Sequence, residues 1–198
     1  MKKPLVIAAI IIFPVLLILL FQYAADHRFD IPVYYENGIK ADTLVDVACL
    51  SRAAVEYKVS NPAWTDGKHH ILHFERIDGP VLKTRLEELE RVQDVFYDQP
   101  NILLNTYVNN VSLKASDISD YDQRIQFYEQ FWKVEELDSA TWHRTKRCEL
   151  VMTQLDSRTV LVDAFGRIRG YYNIVEREET DRLIAELKIL LSNEEFGE

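Results

Sequence analysis

The chain has 198 residues, with 32 Asp and Glu against 23 Lys and Arg and a formal net charge of −9. That length suits one globular domain plus an additional segment, and not two full domains. Ordinary apolar and charged fractions argue against a chain that stays disordered, and the acidity argues against a phosphate-backbone partner, so no nucleic acid is expected.

Lys2 and Lys3 precede an uncharged run from Pro4 to Ala25 whose core reads LVIAAIIIFPVLLILLF. A helix needs roughly 20 apolar residues to cross a bilayer, and membrane helices tolerate a proline such as Pro14. The alternative is a cleaved signal peptide, but its apolar region is usually only about 7–15 residues long. Tyr23-Ala24-Ala25 is also a poor small-x-small cleavage site. Residues 1–25 are therefore expected to be an uncleaved transmembrane signal anchor. The positive-inside rule keeps Lys2 and Lys3 cytoplasmic and places Asp26–Glu198 on the periplasmic side of the inner membrane. Residues 26–54 are expected to form an extracytoplasmic spacer with a turn at Asn37-Gly38, and residues 55–198 the folded domain.

Val55 to Val59 alternates apolar and polar residues and predicts a strand. Asn61-Pro62 and Asp66-Gly67 punctuate the loop after it. His69 to Glu75 (HHILHFE) alternates again and predicts a central strand. Asp78-Gly79-Pro80 breaks the chain. Leu82, Leu86, Leu89, Val92 and Phe96 then recur at helical spacing, predicting a helix from Pro80 to Tyr97. Asn101 to Val108 predicts another strand, and Asp120 to Lys133 another helix, with Tyr121, Ile125, Tyr128 and Trp132 on one face. Cys148 to Thr153 (CELVMT) predicts a further short strand.

Thr159 to Tyr172 (TVLVDAFGRIRGYY) is the clearest stretch. Val160-Leu161-Val162 predicts a buried strand, Asp163 and Gly166 a tight turn, and Ile168 to Tyr172 a returning strand. Leu183, Ile184, Leu187, Leu190 and Leu191 mark the apolar face of a closing helix. Its first turn is crowded with Glu176, Glu178, Glu179 and Asp181, as the helix dipole favours. The order β–α–β–α–β–β–α predicts an α/β domain of thioredoxin-like type with helices on both faces of a mixed sheet.

VLVDAFGRIRGYY followed by REETDRLIAELKILL resembles the C-terminal signature of the Sco/SenC family. The resemblance spans roughly Val55 to Leu191, and Trp142-His143 resembles a further family pair. It implies a membrane-anchored thioredoxin-like domain concerned with copper-site assembly in cytochrome c oxidase. It also implies a copper site of two thiolates in a Cys-Pro-x-x-Cys-Pro loop after the central strand, with a His before the last hairpin. Here those positions hold Gly79, Lys83 and Leu155, with Pro80 at the family proline. The site is degenerate, and no Cys lies between Cys49 and Cys148. What the resemblance implies is then a protein that is not an enzyme and has no cofactor. Its partner would be a membrane protein, such as a respiratory oxidase or its assembly factors.

Other readings compete with that one. Cys49 and Cys148 would form a structural disulfide, remain two small buried residues, or serve as the dithiol of a thiol–disulfide oxidoreductase, though Cys-x-x-Cys spacing is absent. His69, His70 and His73 form an HHxxH pattern. On a strand, however, His69 and His73 stand about 13 Å apart, too far to share one ion, so polar residues on a half-exposed strand are the simpler expectation. A copper carrier drawing on Cys148, His143 and the His69–His73 strand is a further alternative. Lys83, Arg85, Glu87, Glu88, Glu90 and Arg91 are expected on the solvated face of the first helix, with Glu87–Arg91 as an ion pair. Tyr34, Tyr35, Tyr171, Tyr172, Trp64 and Trp142 would line a partner surface or, more ordinarily, the core and its rim.

Overall fold

The computed structural model describes residues 12–20, 30–39, 57–75, 81–109, 131–153 and 158–195. It divides into two compact units, Met1–Asp30 and Ile31–Glu198. In the first, residues 12–20 are helical and their side chains, Leu16 and Leu20 among them, are exposed. Among the described residues, no helix is long and apolar enough to cross a membrane.

The second unit is built on a five-stranded sheet. In chain order its elements are β1 (His69–Glu75), α1 (Leu82–Phe96), β2 (Ile102–Asn109), β3 (Trp132–Leu137) and α2 (Ser139–Arg144), followed by β4 (Thr159–Val162), β5 (Ile168–Tyr172) and α3 (Arg177–Glu195). The strand order is β3-β2-β1-β4-β5. β1, β2 and β3 run parallel, while β4 is antiparallel to β1 and β5 to β4. A parallel βαβ half joined to an antiparallel hairpin and a closing helix is the thioredoxin-like arrangement the sequence predicts.

β1 is central and covered on both faces, so all seven of its residues are buried. Successive side chains alternate between two cores. Ile71 packs with Leu86, Leu89, Val92 and Phe96 of α1, and with Leu183 and Leu187 of α3. Leu72 and Phe74 pack on the other face with Trp64, Tyr107, Trp142, Val160 and Ile168. The expected spacer contributes to both, since Ile31 joins the first core and Ile39 the second. Trp64 and Trp142 are core residues, with Trp64 Nε1 donating to Tyr107 Oη at 2.8 Å.

The hairpin forms where the sequence places it, for local reasons. The buried Asp163 carboxylate accepts the backbone N–H groups of Phe165 at 3.0 Å and Arg167 at 2.9 Å, and the Arg167 Nε–H at 2.7 Å. Gly166 supplies the positive φ of 78° that closes the turn. Its open face also lets the turn dock on the loop before β1, where an added Cβ would come within 2.9 Å of Thr65 Cγ2. Arg169 reaches across to donate to the Ile31 carbonyl at 2.6 Å, which ties the start of the unit to β5.

Four local expectations are corrected. Cys148–Thr153 is not a strand. Asp138 caps α2 by accepting from the N–H groups of Ala140 and Thr141, and the helix runs on through a π-helical turn at Thr145–Glu149. Val151 then adopts φ 50°, incompatible with extended backbone. Trp132 and Lys133 belong to β3 rather than to a helix, because they pair with Leu104 and Asn105 of β2; the rest of that expected helix lies outside the described residues. Residues 57–59 form no sheet strand: the N–H of Tyr57 bonds Tyr35 and that of Val59 bonds Gly166, outside any ladder. Finally, Arg91 bonds Glu88 at 2.6 Å and also Asp181 of α3 rather than Glu87, whose partner is Lys83 at 3.7 Å.

Candidate functional site

In open α/β sheets, ligands and chemistry collect beyond the carboxyl ends of the parallel strands. Here that edge is the end of β1, where the chain passes toward α1. β1 directs His73 and Glu75 to the α1 side, the opposite side from Phe74. Glu75 is completely buried. Arg85, one turn into α1 and itself buried, meets it at both oxygens: Nε donates to Oε2 at 2.9 Å and Nη2 lies 2.6 Å from Oε1. Arg158, just before β4, brings a second guanidinium within 3.6 Å of Oε1. His73 Nε2 lies 3.2 Å from Oε2, and His73 Nδ1 lies 2.9 Å from Thr159 Oγ1.

The electrostatics follow from these partners. Burial alone raises the Glu75 pKa, but the hydrogen bond from His73 and the charge of Arg85 outweigh it and hold the carboxyl below its usual value. Glu75 is therefore an acceptor only. His73 is pushed down by burial, so its ring is neutral. The Nε2–H then donates to Glu75, and Nδ1 accepts the Thr159 hydroxyl proton. The Glu75 carboxylate is faced by two guanidiniums, which repel a further cation. The arrangement ties β1, α1 and β4 together at the end of the sheet.

Of the positions the family resemblance singles out, Gly79 and Leu155 lie outside the described residues. Lys83 opens α1 with its side chain in solvent. Cys148 is disulfide-bonded, and the one other cysteine in the sequence, Cys49, lies outside the described residues. The histidines are corrected from half-exposed to buried, because β1 is covered on both faces. His70 faces the core opposite to His69 and His73, with Nε2 2.8 Å from Asp66 Oδ1 and Nδ1 3.3 Å from Asn105 Nδ2. His143 sits on α2 beside Trp142, which packs on Phe74, so it lies on the other side of the sheet from His69 and His73. Among the described residues, no three His, Cys, Asp or Glu side chains group closely enough to hold a metal ion.

Arg85 was expected in solvent, and its pairing with Glu75 is not apparent in the sequence. The signal lay in the spacing. Arg85, Leu89, Val92 and Phe96 fall at i, i+4, i+7 and i+11, so Arg85 belongs to the buried stripe of α1. An Arg on an apolar stripe three turns long requires a buried anion, and the carboxylate ending the preceding strand is the nearest.

The histidines make stability pH-dependent. Burial lowers the folded-state pKa of both His70 and His73 from 6.5. The unfolded chain therefore binds protons that the folded one rejects, and stability is present above pH 6.5 and lost as pH falls below it. The slope is about 1.4 kcal/mol per pH unit for each such histidine. Urea midpoints are expected to fall steadily from pH 7 to pH 5, and His73→Gln is expected to flatten that slope.

No protein-family model matches the chain, and no curated protein is detectably similar to it. Among solved structures it is similar to BsSco, described as a member of the Sco family of cytochrome c oxidase assembly proteins with a disulfide switch. The identity is 12% and the TM-score 0.49, over 65% of this chain and 83% of that one. A SCO1/SenC family lipoprotein from Bacillus anthracis is similar at 11% identity and a TM-score of 0.48, over 68% and 92%. A reduced 2-Cys peroxiredoxin from Plasmodium vivax is similar at 17% identity and a TM-score of 0.46, over 69% and 73%.

Proposed function

We propose that this chain is a membrane-anchored Sco/SenC-like protein that acts by protein contact in the biogenesis of a respiratory oxidase, without a thiolate copper site at the end of β1. The observation that carries this reading is the Glu75–Arg85–Arg158 cluster at the end of β1, the edge where such sheets place their chemistry. Soft Cu(I) needs thiolate or thioether donors. This edge supplies guanidiniums, a neutralised carboxylate and the solvated Lys83. The oxidase setting rests on the resemblance of TVLVDAFGRIRGYY and the helix after it to the Sco/SenC signature. The anchor rests on the uncharged run from Pro4 to Ala25. In a deletion strain, assembled oxidase is expected to fall and to recover on complementation with the chain, including a Lys83→Ala variant. Normal oxidase levels and copper content without the chain contradict the proposal.

The disulfide at Cys148 favours a second reading, a thiol–disulfide oxidoreductase. In the contact reading the disulfide is a staple, and the Tyr57 hydroxyl reinforces it by donating to the carbonyls of Cys148 at 3.2 Å and Glu149 at 2.5 Å. Cys148→Ser is then expected to lower unfolding stability by about 2–5 kcal/mol while leaving oxidase assembly intact at permissive temperature. Complete loss of function in a variant that remains folded favours the oxidoreductase.

A further inference from the structure

α1 and α3 lie side by side, tied by the contact of Arg91 with Asp181 near the start of α3. Beyond that tie, the last turn of α1, the loop into β2 and the later turns of α3 frame a cleft of about 440 Å³. That is room for roughly 15 water-sized groups, within the usual range of small-ligand pockets. Asn101, which lines the cleft, immediately precedes Ile102, and Ile102 pairs with His69 at the start of β1. The cleft is therefore at the opposite end of the sheet from Glu75.

The lining divides into an apolar wall and a polar rim. Phe96 is buried, Leu191 half-buried and Val95 exposed, so apolar surface runs from the core out to the opening. Among the described residues, Lys188 is the one charged side chain in the lining, in a chain of net charge −9, and it makes no ion pair there. Gln99 and Asn101 bring amide N–H groups to the same lining. Gln99 gives one of its two to Asp98 at 3.3 Å. Ser192 adds no donor, since its hydroxyl proton goes to the Ile189 carbonyl at 3.0 Å. The last carbonyls of a helix normally repel an anion. Here the Tyr97 N–H meets the Gln93 carbonyl at 2.8 Å and the Gln99 N–H meets that of Phe96 at 2.9 Å, which blunts the negative end of α1.

We propose that this cleft binds a small carboxylate with an apolar body. The carboxylate meets Lys188 and the amides of Gln99 and Asn101, and the body lies along Val95, Phe96 and Leu191. This goes beyond the function proposed above and does not depend on it. The volume limits the ligand to about 15 non-hydrogen atoms. A ligand of that size and ordinary efficiency binds with a Kd on the order of millimolar. Lys188 is exposed, so its ion pair strengthens binding by only about twofold to fivefold. Free organic acids and protein C-termini that end in an apolar residue share this chemistry.

The test follows the methyl NMR signals of Val95 and Leu191 in the full chain, held in detergent, as hydrocinnamate is added. The expected result is a saturable shift of both, with the neutral hydrocinnamamide binding about twofold to fivefold more weakly. Lys188→Gln is expected to weaken the acid to the level of the amide and to leave the amide unchanged. N-acetylphenylalanine, a mimic of a chain terminus, separates the two sources. Binding tighter than that of hydrocinnamate assigns the cleft to a protein C-terminus, and weaker binding assigns it to a free acid. Shifts that do not saturate overturn the proposal. So does equal binding of acid and amide, or a Lys188→Gln variant that holds the acid as well as the original chain does.

Discussion

Glu75→Ala is expected to cost about 3–5 kcal/mol, because it leaves the buried Arg85 guanidinium without its counter-charge. Against a total stability of about 5–15 kcal/mol, that loss brings the domain close to unfolding at moderate temperature. Arg85→Ala is expected to cost a similar amount for the reciprocal reason. The informative variant is the double replacement Glu75→Leu with Arg85→Met. Removing both charges and keeping the volume is often neutral for a buried pair. The double variant should therefore regain most of the stability that either single change loses, and equilibrium urea unfolding measures all of these. If the single and double losses simply add, the two residues are not coupled, and the cluster is not the tie between β1 and α1 that its distances indicate.

Gly170→Ala is the second large effect. Gly170 lies mid-strand in β5, an unfavourable place for glycine on general grounds. The explanation is Tyr172, two residues on and on the same face. Its ring folds back across the bare glycine, and a Cβ there would sit within 2.6 Å of Tyr172 Cζ. Tyr172 is fully buried, and its hydroxyl donates to Glu186 of α3 at 2.5 Å. The ring cannot swing away without giving up that bond and its place in the core. Overpacking of this kind costs about 1–3 kcal/mol, and the lost hydrogen bond to a carboxylate about 1.5–3 kcal/mol more. A drop of about 3–5 kcal/mol is expected by the same urea measurement. Tyr172→Leu in the Gly170→Ala background should add little further loss, since the ring is already displaced.

These two effects differ in how much of them the sequence reveals. The glycine and the tyrosine are neighbours in one short strand, and the whole hairpin is legible because Asp163, Gly166 and the alternation after them act within a few residues. The closing helix is legible for the same reason: its apolar face and acidic first turn are local. The Glu75 cluster is not, because it assembles Arg158 from before β4 with residues on β1 and α1, and no spacing rule connects them. β3 was hidden similarly, since its pairing with β2 is a long-range choice that overrode the helical spacing ending at Trp132. Residues 148–153 failed for the opposite reason. A local cap at Asp138 carried helical geometry into a segment whose composition favours a strand. At the candidate site the sequence disclosed the absence of thiolates at Gly79 and Lys83, but not the ion-pair cluster at the end of β1.

The most direct test of the central claim is Cu(I) binding to the full-length chain, fully reduced and held in detergent, in competition with a chromogenic chelator. The account predicts that the chelator keeps all the copper. One equivalent drawn tightly onto the protein, and lost on Cys148→Ser, would contradict it and make Cys148 a metal ligand rather than a staple.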